Sequence, residues 1–143
     1  MPGQRRDAWF YGLLLLGVGS LANAGWMLID PLRWYHDLPA AVPDFGEFNP
    51  HFVRDIGCAF ATVGFAQVWA AFAPRYRFPL VVMATVFFAA HAALHVFDTV
   101  RGAVDHHHWW LDLPGVYAPA ILLAVLSVLL ARRQGDLHAH PTG

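Results

Sequence analysis

His91, His95 and Asp98 stand at i, i+4 and i+7, so on a helix their side chains share one face. Two imidazoles one turn apart can reach a single ion, and a carboxylate on the next turn can complete or orient its shell. The three lie in an apolar run, Val81 to Asp98, long enough to cross most of a bilayer. Ionisable groups in such a helix are costly and face a bundle interior or a water-filled cavity. His51, Asp55 and Cys58 repeat the same spacing, with Arg54 beside them.

These residues need elements to hold them, and composition says which kind. The chain of 143 residues is 57% hydrophobic and 13% charged, against about a quarter charged in soluble domains. Four spans of roughly 20 residues fit, with short connections. The expected fold is an all-α integral membrane four-helix bundle forming a single domain over 1–143, with spans at about 8–29, 50–73, 79–100 and 116–131.

The first span is bounded by Asp30-Pro31, because proline cannot continue a helix. Arg5-Arg6, Leu13 to Val18 and Ala22-Asn23-Ala24 also fit a cleaved signal peptide, although apolar residues run on to Ile29. Asn49-Pro50 reads as an N-cap with proline at the first helical position of the second span. Pro74 stops that span, Pro79 starts the third and Arg101-Gly102 ends it. The fourth ends at Arg132-Arg133, and the last ten residues read as a polar, frayed tail. Gly12, Gly17 and Gly19, with Gly57, Ala61 and Gly64, permit close helix contact, or are ordinary membrane-helix composition.

Arginine placement sets the orientation. Arg5, Arg6, Arg75, Arg77, Arg132 and Arg133 fall on one side and Arg33, Arg54 and Arg101 on the other. The positive-inside rule then puts both termini in the cytoplasm and the two long connections outside. Eight of the ten acidic residues and seven of the nine histidines lie toward that outer side.

Helices two and three run in opposite directions, so depth matching at 1.5 Å per residue aligns Asp98 with His51, His95 with Asp55 and His91 with Cys58. Asn23, Arg54 and Tyr117 add polar groups at similar heights and are the candidate cofactor-binding residues. The expected site is an outward-opening polar cavity whose metal ligands come from His51, Asp55, Cys58, His91, His95 and Asp98. Mixed nitrogen, oxygen and sulfur donors suit zinc or copper better than magnesium or calcium. The only glutamate, Glu47, lies outside every span, which argues against a carboxylate-bridged di-iron centre. His106-His107-His108 reads as a solvated loop, with ion capture as its alternative.

The same residues allow other readings. The cluster can be purely structural, pairing helices in an accessory membrane subunit. A quinone- or lipid-linked enzyme could use histidines that titrate near neutral pH. Haem would need His51 facing His91 or His95. A near-neutral formal charge of −1 with no basic stripe removes nucleic acid as a partner, leaving the bilayer, a larger membrane complex or a homo-oligomer. In size and hydropathy the chain resembles the small four-helix inner-membrane proteins of bacteria, such as the DoxX-like group. That likeness implies a bacterial inner-membrane location and carries over no functional residue.

Overall fold

The computed structural model describes residues 7–139, with side chains through Gln134. Arg5 and Arg6 lie outside them, as do the side chains of Asp136 and His138 and the residues beyond Ala139. Six α-helices follow in order: α1 (Ala8–Ile29), α2 (Pro31–Asp37), α3 (Pro50–Phe72), α4 (Arg77–Val100), α5 (His108–Leu111) and α6 (Ala118–Ala139). Four helical segments are long and apolar enough to cross a membrane: Ala8–Ile29, Pro50–Phe72, Pro74–Val100 and Leu113–Gln134.

Local chemistry sets the boundaries. Asp7 caps α1 by accepting from the Phe10 amide at 2.9 Å. Asn49 caps α3, its Oδ1 accepting from the amides of His51 and Phe52 at 3.0 and 3.2 Å. Both caps satisfy amide donors that have no partner inside the helix. Asp30 ends α1 and caps α2 through the Arg33 amide. The third span starts at Arg77, ahead of Pro79, because proline is tolerated within a first turn. The last is entered through a π-turn, Leu113–Tyr117, and its helix continues past Arg133 to Ala139 rather than fraying there.

α1 lies closest to α3, which packs on α4, and α4 packs on α6. Glycines allow the first contact. A Cβ on Gly17 would meet Val68 Cγ2 at 2.7 Å and its backbone nitrogen at 2.9 Å. One on Gly64 would meet Leu21 and Ser20 at 3.0 Å. Gly12 and Gly19 face open space, so only part of the small-residue pattern serves packing. Leu13, Met27, Phe60, Val81, Phe88 and Leu123 fill the core. Ser20 donates to Gln67 Oε1 at 3.1 Å across α1 and α3, and Thr85 pairs with Ser127 at 2.8 Å across α4 and α6.

One end of the bundle is pinned by Arg77. Its guanidinium donates to the carbonyls of Ala70 and Ala71 at 3.1 and 3.2 Å and pairs with Asp7 at 2.9 Å. Those carbonyls belong to the last turn of α3 and have no helical partner of their own. At the same end Arg133 of α6 sits 4.9 Å over the Trp9 ring of α1. The other end carries the two long connections, 30–49 and 101–117. They are folded: beyond α2 and α5, Val42–Phe45 forms a 3-10 turn. Tyr35 donates to the Gly46 carbonyl at 2.6 Å. Gly102 turns the chain off α4 with φ of 73°, in the left-handed region open to glycine.

Candidate metal centre

The six residues expected as ligands do not converge. The side chains of His51 and Asp55 are 84% and 63% exposed and pair with each other at 3.4 Å along α3. Cys58 is exposed on the same helix. Asp98 pairs with Arg101 at 2.8 Å instead of His51. This stripe of α3 points away from the bundle, because α3 buries the opposite face (Val53, Gly57, Phe60, Gly64, Gln67). His51 therefore does not face His91 or His95. Arg54 donates to the Leu28 carbonyl at 3.3 Å and so tops the end of α1. Asn23 accepts from Trp34 Nε1 at 2.8 Å. Tyr117 stacks on Trp109 with its hydroxyl buried.

His91 and His95 do share a face. Their ring centroids are 4.6 Å apart, with Phe87 stacked on His91 and Phe60 edge-on to it. The partner of His95 is Asp112, from the connection before α6, at 2.8 Å between Nδ1 and Oδ2. Asp112 leads on to His108: Oδ1 faces His108 Nδ1 at 3.5 Å, with both side chains fully buried. Neither of these two atoms has a hydrogen-bond partner.

The other nitrogen of His108 opens the centre itself. His108 Nε2 lies 3.1 Å from Asp44 Oδ2, and His107 Nε2 lies 3.8 Å from the same oxygen. One donor atom from each of Asp44, His107 and His108 falls within 4.8 Å of the others, the one group of its kind among the described residues. His107 is backed in turn by Asp105, which pairs with its Nδ1 at 2.7 Å and accepts from its amide at 2.8 Å. That amide bond, with the ring behind it, holds the Asp105 carboxyl below the usual carboxylate range. The Phe45 ring packs against those of both His95 and His108, 4.8 Å between centroids in each case.

Local structure explains how the pieces meet. Val42–Phe45 presents Asp44, and the turn at 105–108 starts α5 with His107 and His108 adjacent. Asp112, four residues after His108, lies one turn away on the same face. The histidine triplet is thus only partly a solvated loop: His106 is exposed, His107 half so, and His108 is enclosed. Asp44, Asp105 and Asp112 are absent from the expected ligand set. The fourfold His108–Asp112 spacing was a readable signal, whereas the meeting of His108 with Asp44, 64 residues away, had none.

Among the described residues the chain is therefore all-helical, with four helices suited to a membrane and a His/Asp cluster where its two long connections meet. No family model matches it, and no curated protein or solved structure is similar to it.

Proposed function

We propose that this is an integral membrane protein that takes up or delivers a transition-metal ion, zinc or copper, through Asp44, His107 and His108 at its extracytoplasmic face. One observation carries the reading. Both imidazoles turn Nε2 toward the same Asp44 oxygen, while each Nδ1 faces a further carboxylate, Asp105 or Asp112. A neutral imidazole has one N–H, so one nitrogen of each ring would present its lone pair to a carboxylate. A cation between the two Nε2 atoms and Asp44 removes that conflict. Nδ1–H then donates to Asp105 or Asp112, the arrangement by which carboxylates orient metal-bound histidines.

The spacing suits such an ion. Tetrahedral bonds of about 2.0–2.1 Å put neighbouring donors roughly 3.3 Å apart, and the observed separations from Asp44 Oδ2 are 3.1 and 3.8 Å. Two imidazoles and a carboxylate leave a fourth position open, which favours acquisition and release over a closed structural site. The donor set suits zinc or copper better than calcium or magnesium, which prefer all-oxygen shells. The placing of Arg75, Arg77, Arg132 and Arg133 at the opposite end supports an outward-facing centre.

A second reading is favoured by the enclosure of His108 and Asp112: His107 and His108 clasp the two connections against Asp44, Asp105 and Asp112 as a purely protein ion-pair network, in an accessory subunit. Metal analysis of untagged protein purified without chelator separates the two. Stoichiometric metal, lost in His107→Ala and Asp44→Ala but kept in His91→Ala/His95→Ala, is the expected result. Trace metal in wild type that none of these substitutions changes overturns the metal centre and leaves the ion-pair network.

A further inference from the structure

The outward face of α3 is unlike that of the other long helices. His51, Asp55, Cys58 and Thr62 lead into Phe65, Trp69 and Phe72, and all seven are exposed. Their spacing is four, three, four, three, four, three, the repeat of a helix–helix seam. It lies about half a turn around α3 from the buried residues Val53, Gly57, Phe60, Gly64 and Gln67, of which Gly57, Gly64 and Gln67 meet α1 and Phe60 meets α4. On the other long helices the exposed large side chains include Tyr11, Leu15 and Val18 on α1, Met83, Val86 and Leu94 on α4, and Ile121, Val125 and Val128 on α6. Those three stripes suit hydrocarbon. The α3 stripe sets a carboxylate and an imidazole into one, and Asp55 lies about 7 Å along the helix from Pro50.

We propose that this face is covered by a second copy of the chain, α3 against α3, around a two-fold axis along the membrane normal. This pairing requires α3 to cross the bilayer and is independent of the proposed metal centre. Two copies in one membrane share their orientation, so each seam residue meets its own counterpart at the same depth. An interface of this kind must be self-complementary. The α3 stripe meets that condition. His51 and Asp55 are one turn apart, about 6 Å, and pair at 3.4 Å within the chain. The imidazole of either copy can therefore reach the carboxylate of the other, removing both from lipid. Toward the other end, Phe65 and Trp69, 6.0 Å between ring centroids, supply broad apolar surface. Thr62 bonds the Cys58 carbonyl at 2.9 Å and brings no unmet polar group into the seam.

Cys58, the sole cysteine, lies in the middle of the seam and is the probe. Purified protein in lipid vesicles, diluted with excess lipid, is treated with a short bismaleimide. A covalent dimer is expected from wild type and none from Cys58→Ala. Within Cys58→Ala, a cysteine introduced by Thr62→Cys or Phe65→Cys restores the dimer, and Val63→Cys, off the seam, does not. A monofunctional maleimide run in parallel establishes that each thiol is reactive. If the seam thiols label but none cross-links, the face is open to lipid and the proposal is overturned. Cross-linking that is equally strong at Val63→Cys overturns it too, since that pattern is random collision.

Discussion

Replacing Asp112 with Asn tests the proposed metal centre from behind. The carboxylate makes two contacts: Oδ2 with His95 Nδ1 at 2.8 Å and Oδ1 with His108 Nδ1 at 3.5 Å. Asn keeps the shape and one acceptor oxygen. The short bond to His95 is the one that oxygen retains, which turns the amide N–H₂ toward His108 Nδ1. A donor there makes Nδ1 an acceptor and moves the ring proton to Nε2, the nitrogen the ion needs. Loss of an orienting carboxylate of this kind costs about 10–100-fold in metal affinity, or about 1.4–2.8 kcal/mol. The metal-free protein loses about 1–2 kcal/mol, since a charge-assisted bond to His95 becomes a neutral one. Zinc competition against a chromophoric chelator gives the affinity, and unfolding with and without zinc gives the linkage: at fixed zinc the variant gains less thermal stability than wild type. Affinity within about twofold of wild type, while His107→Ala loses binding, would refute the orienting role, given the ~10-fold minimum expected.

Gly64→Leu forces a side chain into Leu21 and Ser20 of α1 and should cost about 1–3 kcal/mol by overpacking, read as a lower unfolding temperature in micelles; Gly19→Ala, facing open space, is the neutral control. Arg77→Gln removes the Asp7 pair and cannot serve both α3 carbonyls, a loss of about 1–3 kcal/mol after allowing for the partial exposure of Asp7. Asp105 is held low in the folded chain, so its contribution is complete above the ordinary carboxylate pKa and disappears as pH falls through the lowered one. The His107 amide resonance should follow that acid titration and stop doing so in Asp105→Asn.

Much of the architecture was legible because single residues encode it. Asp30-Pro31, Asn49-Pro50 and Pro74 each stop or start a helix by geometry alone, and the first two spans begin or end within two residues of where those signals put them. The last span departs further, through its π-turn and its continuation to Ala139. Depth matching erred for a physical reason. Rise per residue fixes height, and it leaves rotation about the helix axis open. Gly57 and Gly64 carried the missing rotation: at about 100° per residue they lie roughly 220–240° from His51, so a seam built on them turns His51, Asp55 and Cys58 outward. The pairing of His95 with Asp112 depends on how residues 101–117 fold back over α4. No period in the sequence records that path.

The two long connections also impose an order on biosynthesis. Asp44 and His108 are 64 residues apart. At roughly 5–20 residues per second, synthesis of the intervening chain takes about 3–13 s. During that interval α1 and α3 can already dock through Gly17 and Gly64, with Asp44 exposed and its future companions still unmade. A chain that stalls after α3 therefore has a packed hairpin and lacks the His107–His108 half of the cluster; in the proposed function, loading with an ion would report that synthesis has passed α5.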